Sequence, residues 1–268
     1  MKSKILFLVP LLLALPVQQA AAISFSYDFS SAAGLTLNGN AAVAGNVLRL
    51  VPSADTQSGT AYHSAAVPLD GTTSFSTAFS FNISTDPDSF LGVTDGFTFL
   101  LQNDAAADNA LGAGGDGLGY EGISPSVAVI FRGRDPNFIG VVTGGVNPAD
   151  LPTPFQPDGY YTGAEGEFYG QDQYAWIDYD SGTNLLSVYL AGDATKPGSA
   201  IMSATVDIFS VLGSQAYVGF SAGNGGAFGN QDILGWSFTT ATVPLPAGAW
   251  LLGSGLLGLF GSARRKIA

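Results

Sequence analysis

Along most of the chain, apolar and polar residues alternate with a period of two. SFSYDF, VLRLV, SFSTAFSFNI, GFTFLLQ, VAVIF, YAWIDYD, LLSVYLA, MSATVDI, AYVGFSA and ILGWSFTT all read as strands, and most of them alternate. This period puts successive side chains on opposite faces of an extended segment, one set toward a core and the other toward water. VAVIF is apolar throughout, as a buried strand would be. Gly, Asn, Asp and Pro between these stretches supply turns. No long stretch shows helical periodicity. Strands at regular spacing over residues 23–242 predict an all-β fold, a single sandwich or jelly roll. One segment breaks the pattern. Thr143 to Gln173 is rich in Pro, Gly and acid, and reads as a long loop in which Glu165 and Glu167 form a candidate carboxylate pair.

Both ends depart from the alternation. Residues 1–22, MKSKILFLVPLLLALPVQQAAA, run from lysines through an apolar stretch to small residues, the order of a secretory signal peptide. Residues 243–268, VPLPAGAWLLGSGLLGLFGSARRKIA, hold an apolar stretch followed by Arg264, Arg265 and Lys266. That stretch is near the lower limit for a membrane helix, and its basic end favours the cytoplasmic side. A Pro-containing motif, an apolar helix and an Arg-rich end resemble the PEP-CTERM sorting signal, although Leu245 stands where the usual Glu would follow the first Pro. The resemblance implies a Gram-negative exporter, an exosortase as processing partner, transient membrane anchoring, and a link to extracellular polysaccharide or biofilm. A plain membrane anchor is the alternative.

Charge and composition narrow the function. Between the two end segments the only basic residues are Arg49, Arg132, Arg134 and Lys196, against all 21 acids. Such a surface repels nucleic acid and anionic lipid, so nucleic acid is excluded as a main partner. Cys is absent, and His63 is the single histidine, which removes disulfide scaffolds, thiolate chemistry and His-pair zinc sites. The 36 glycines, well above the usual ~7%, suit a molecule of tight turns.

Several stretches in order resemble the legume-type (L-type) lectin family. They are RLVPSADTQSGTAYHSAAVPL, DGFTFLLQNDAAADNALGAGGDGLGYEGI, YAWIDYDSGTNLLSVYLA, KPGSAIMSATVDIFSVLGSQAYVGFSAGNGG and DILGWSFTT. The resemblance covers nearly all of 23–240. It implies a concanavalin-like jelly-roll β-sandwich that binds glycans, with Asp95 and the Gly-rich loop around Gly114 and Gly115 at the sugar. The residues themselves suit that role. Asp95 opens GFTFLLQ, where a carboxylate can accept sugar hydroxyls. Gly112 to Gly117, and Gly225 with Gly226, let backbone approach a ligand with no Cβ in the way. Phe138, Tyr120 and Phe228 are candidates to stack on a sugar ring, and Asn137 is a candidate for the family's sugar-binding Asn.

The same resemblance aligns VAVIFR with the strand that normally carries Glu-x-Asp, acids that hold a transition metal and calcium. Here Ile130 and Arg132 stand at those positions, and Asp135 is the one weak candidate ligand. Calcium wants about six or more oxygens, so the usual ion is not expected. Two readings of Arg132 and Arg134 follow. In one, a guanidinium replaces the ion and holds Asp95 or Asp135 by its bidentate fork. In the other, both arginines face solvent at a sheet edge.

Three functions compete: a secreted glycan-binding module, a structural matrix or adhesion protein that has lost sugar binding, and a glycoside hydrolase. The third needs two well-placed carboxylates, and VAVIFRG carries none, so no catalytic residue is assigned. Asp86 and Asp88 lack the remaining spacing of a calcium loop. Asn82 fits a glycosylation pattern but lies in a strand, and His63 reads as structural.

Overall fold

The computed structural model describes residues 22–84, 86–89, 94–133, 138–148, 160–162 and 168–242. Sixteen strands appear among them. The first eight are β1 (Ser24–Tyr27), β2 (Leu35–Gly39), β3 (Ala42–Ala44), β4 (Val47–Val51), β5 (Gln57–His63), β6 (Val67–Pro68), β7 (Thr73–Ile83) and β8 (Gly96–Gln102). The remainder are β9 (Ser126–Arg132), β10 (Phe138–Thr143), β11 (Tyr160–Thr162), β12 (Gln173–Asp180), β13 (Leu185–Ala191), β14 (Met202–Thr205), β15 (Gln215–Asn224) and β16 (Gln231–Thr242). A five-residue helix, α1 (Ile208–Leu212), is capped at its start by the Asp207 carboxylate, which accepts from the Ser210 N–H.

These strands form two antiparallel sheets packed face to face, the all-β sandwich expected. One sheet runs β14–β13–β12–β7–β16–β4–β3, with β1 also pairing onto β16. The other runs β11–β10–β9–β8–β15–β5–β2, with β6 pairing onto β15. The segment read as a loop from Thr143 to Gln173 contains β11, which pairs with β10. FIGVV, unassigned by pattern, is β10.

The space between the sheets is filled largely by aromatic rings. From the first sheet, Phe75, Phe79, Phe81, Trp236 and Phe238 point inward; from the second, Phe97, Phe99, Phe131 and Phe220 meet them. Phe97 and Phe131 stack with centroids 4.8 Å apart, and Phe79 meets Phe220 edge-on at 5.1 Å. Each such pair contributes about 0.5–1.5 kcal/mol beyond area burial.

The outer faces of the two sheets differ. Along β7 and β12, burial alternates residue by residue, so the first sheet faces water. Every residue of β8 and β9 is buried. The reason is a second, smaller core on the far side of that sheet. There Leu100, Ala128, Ile130, Phe138 and Val142 are covered by Ala110, Leu118, Tyr120 and Ile123 from the segment between β8 and β9. The Tyr120 hydroxyl anchors this cover by accepting from the Gly145 N–H at 3.0 Å and from the Ser126 hydroxyl at 3.0 Å. The first sheet is termed open below, and the second covered.

Candidate functional site

The covered sheet brings the sequence-predicted residues to one end. Gly96, at the start of β8, sits opposite Arg132 of β9 and Gly223 of β15. Asp95, Gly133 and Gly225 therefore lie side by side just beyond the paired region. Gly96 has φ +126°, and a Cβ there would fall 2.2 Å from the Phe131 carbonyl oxygen, so only glycine permits this close pairing.

Asp95 is 3% exposed. Its Oδ2 accepts a hydrogen bond from the Gly225 N–H at 2.8 Å, and its carbonyl accepts from the Gly133 N–H at 3.1 Å. Gly115 completes the group. Its φ is +55°, and a Cβ added there would stand 3.9 Å from Asp95 Oδ2 and 3.8 Å from Gly225 Cα. Asp95, Gly115 and Gly225 are thus brought together. Gly114 does a different job. A Cβ there would meet the Gln57 carbonyl at 2.5 Å, so its bareness lets the turn lie against β5. Gly226 is exposed with nothing within 4 Å of an added Cβ.

The aromatic candidates divide. Phe138 and Tyr120 are 3% and 0% exposed and belong to the second core, so neither presents an open ring face to a ligand. Their burial follows from the segment that covers this face, a tertiary feature with no local signature. Phe228, half-buried beside the Gly225 turn and tied by its N–H to the Ser89 hydroxyl at 2.9 Å, is the remaining aromatic at the site.

Arg132 is 8% exposed, which removes the reading of it as a solvent-facing residue. It ends a strand flanked on both sides by β8 and β10, so it is not on a sheet edge either. Its guanidinium lies 3.6 Å from Asp116 Oδ1 and 5.7 Å from the centre of the Phe138 ring. One acid it meets is therefore on the Gly-rich turn, beside Gly115, a partner that sequence reasoning missed. Asp116 sits inside GAGGDG, and its charge was the available signal. Arg134, Asp135 and Asn137, together with Glu165 and Glu167, lie outside the described residues.

A divalent cation does not fit the described residues here. Ile130 is fully buried among apolar side chains and cannot ligate, and Arg132 beside Asp116 brings a positive charge that repels a cation. No group of three or more His, Asp or Glu suited to a metal occurs among the described residues. What holds the site is a buried polar network, also missed from the sequence. The Thr94 hydroxyl donates to Asn224 Oδ1 at 2.5 Å. Gln231 Nε2 reaches Thr94 Oγ1, Asn224 Oδ1 and the Gly223 carbonyl at 2.8–3.0 Å, and Asn224 Nδ2 donates to the Pro52 and Gly229 carbonyls. The Tyr169 hydroxyl donates to the Thr94 carbonyl at 2.8 Å. Burial pushes that hydroxyl's pKa up, and the nearby Asp95 charge adds to the shift, so it stays a donor at neutral pH.

The legume lectin domain family matches residues 22–127 and 163–248. The chain belongs to this family. It is 29% identical over 250 residues to a probable L-type lectin-domain containing receptor kinase of Arabidopsis thaliana, over 82% of this chain and 35% of that protein; the chain thus spans about a third of that relative's length. Lectin 9 of Medicago truncatula is 33% identical over 189 residues, 62% of each chain. Among solved structures, the basic winged bean lectin in complex with Tn-antigen superposes with a TM-score of 0.66 at 26% identity, over 83% of this chain and 99% of that one.

Proposed function

We propose that this chain is an exported carbohydrate-binding protein whose sugar site lies where Asp95, Gly115 and Gly225 meet. The observation that carries this reading is the Asp95–Gly225 hydrogen bond with Gly115 packed against both. A carboxylate is an acceptor of the kind that sugar hydroxyls need. The flanking glycines keep side chains out of a ligand's way, and the half-buried Phe228 follows the same turn. Membership of the legume lectin domain family, and a winged bean lectin neighbour solved with Tn-antigen, support a glycan ligand. Arg132 takes the part of an ion, since its charge holds the Gly-rich turn through Asp116. The amino-terminal pattern at 1–22 and the PEP-CTERM-like tail at 243–268, both beyond the described structure, support display on the surface or in the matrix of a Gram-negative bacterium. They also support an exosortase-type processing enzyme and the organism's own exopolysaccharide as partners. No helix among the described residues is long and apolar enough to cross a membrane.

A second reading, a structural matrix or adhesion protein without sugar binding, is favoured by one observation: Asp95 and Phe138 are each only 3% exposed. A glycan array separates the two readings, run with the purified protein in calcium and again in chelator, alongside Asp95→Asn. Binding that survives chelation and falls at least roughly tenfold in the variant supports a metal-independent lectin. Binding lost in chelator sinks the role given to Arg132. No binding in either condition transfers the assignment to the structural reading.

A further inference from the structure

The outer face of the open sheet carries a surface that the site above does not use. Ser24 (β1), Thr239 (β16), Ser76 (β7), Asp178 (β12), Ser187 (β13) and Ser203 (β14) are consecutive cross-strand neighbours. They form one polar row across six strands, five steps of about 4.8 Å each. The adjoining row holds Ser26, Ser237, Ala78, Trp176 and Tyr189 in the same sense. Its first three side chains are small, so the half-buried Trp176 indole stands as a wall beside a low floor, extended by the Tyr174 ring 6.5 Å away. Two adjoining depressions result, of about 290 Å³ beside Trp176 and about 180 Å³ on the far side of Asp178.

The lining defines the occupant. Lys196 Nζ sits 2.5 Å from Asp178 Oδ2 and 4.3 Å from the centre of the Tyr189 ring. The two charges in the trough therefore offset each other, and what remains is hydroxyls beside an indole. Hydroxyls both donate and accept, as a polyol requires, and an indole covers the apolar face of a sugar ring. A protein partner would need a broad apolar centre, and apart from the Trp176, Tyr174 and Tyr189 rings this face offers little but Ala78 and Leu185. An anionic chain would be repelled by the acidic body. The two depressions follow one another along β7, β12 and β16, sharing Ser76, Asp178 and Thr239, so together they suit an extended chain rather than a single sugar.

We propose that the outer face of the open sheet, centred on Trp176, binds a linear, neutral polysaccharide independently of the Asp95 site. Electrophoresis of the purified protein through gels cast with hydroxyethylcellulose, galactomannan, dextran or alginate tests this. Retardation is expected in at least one of the three neutral polymers. Trp176→Ala lowers the apparent affinity roughly tenfold, Trp176→Phe retains part of it, and Asp95→Asn is still retarded. Ser237→Gln, which raises the floor at an exposed position and does not disturb packing, lowers it as well and covers the case in which Trp176→Ala fails to fold. The proposal is overturned if no neutral polymer retards the protein, if only alginate does, or if Trp176→Ala and Ser237→Gln migrate like the parent. It is equally overturned if these variants change only the sedimenting mass, which would make the face an interface between copies. Loss of retardation in Asp95→Asn alone would place all binding at the first site.

Discussion

The two sheets have the same strand number and opposite outer surfaces. On the covered sheet, β8 and β9 are buried on both faces, because the segment between them folds back and seals the outer side with Leu118, Tyr120 and Ile123. On the open sheet, β7 and β12 alternate and their outward residues are mostly small and polar. The covered sheet thus holds its connecting segment rigidly enough to bring Gly115 and Asp116 against Asp95 and Arg132 at one end. Among the described residues the open sheet has no such cover, and its strands present their outward side chains directly. Position at a strand end, with loops pinned from behind, gathers residues compactly; a bare face spreads them over several strands.

Placing one charge on each outer face breaks the comparison most severely. Ile130→Lys puts an ammonium into the second core with no partner, and a loss of more than about 3 kcal/mol, or failure to fold, is expected. Ser76→Lys, on the exposed face of the open sheet, is expected to stay within about 0.5 kcal/mol. Urea midpoints measure both. Equal costs would mean that the open face is covered in solution.

Next in size is the buried network behind the site. Asn224→Ala strands the Thr94 hydroxyl, the Gln231 amide and two carbonyls, and should cost about 2–4 kcal/mol. Ser187→Ala, which removes only a 3.1 Å hydroxyl contact to Ser203 on the open face, should be near neutral. Arg132→Ala comes third. It removes the charge facing Asp116 and is expected to cost about 1–3 kcal/mol, the Asp116 side chain being 35% exposed. Glycan binding should weaken with it, and the melting temperature should be the same in calcium and chelator. An unchanged melting temperature and unchanged glycan binding in Arg132→Ala would end its assigned role.

The smallest expected effect concerns pH at the rim joining the sheets. His63 stacks on Phe25 with centroids 3.9 Å apart, and burial holds its pKa below 6.5. The folded state therefore resists protonation. The contribution is complete above pH 6.5 and is lost as pH falls from there through the depressed folded value. In His63→Gln that decline should vanish from thermal melts. A separate decline below pH 3.8 should persist, because hydrogen bonds from Thr72 and Thr73 hold Asp70 below that value and its contribution is lost only in stronger acid.

Strand existence was legible wherever alternation was clean. VLRLV, GFTFLLQ and LLSVYLA coincide with β4, β8 and β13, and the alternating SFSTAFSFNI lies within β7. Strands without that signal were missed. FIGVVT carries a glycine amid apolar residues, and YYT is too short to show a period, yet β9 pairs with the first and the first with the second. MSATVDI illustrates the opposite error: only Met202–Thr205 pairs as a strand, and Asp207 instead starts α1. At the site, Asp95, Gly115 and Gly225 were legible through family resemblance and glycine chemistry. Phe138 looked like a stacking residue because its type suits the task, and its burial depends on residues 110–123 lying over it. Thr94, Asn224 and Gln231 carried no signal at all, since polar residues at strand ends are common and only their mutual burial makes them structural.

By itself the sequence determined the secondary structure class, the two-layer sandwich, the acidic body and the absence of ion-binding acids at positions 130 and 132. These are properties of local period, composition and residue type, which each segment carries without its neighbours. Only the tertiary structure decided which sheet face would be sealed, that Arg132 would meet Asp116, and that Trp176 would stand over a floor of serines. Those outcomes depend on pairing between distant segments, as in the Asp95–Gly225 bond, whose residues are 130 positions apart. Side-chain period names a face. Which other part of the chain comes to occupy it is set by strand order and register, which no single stretch encodes.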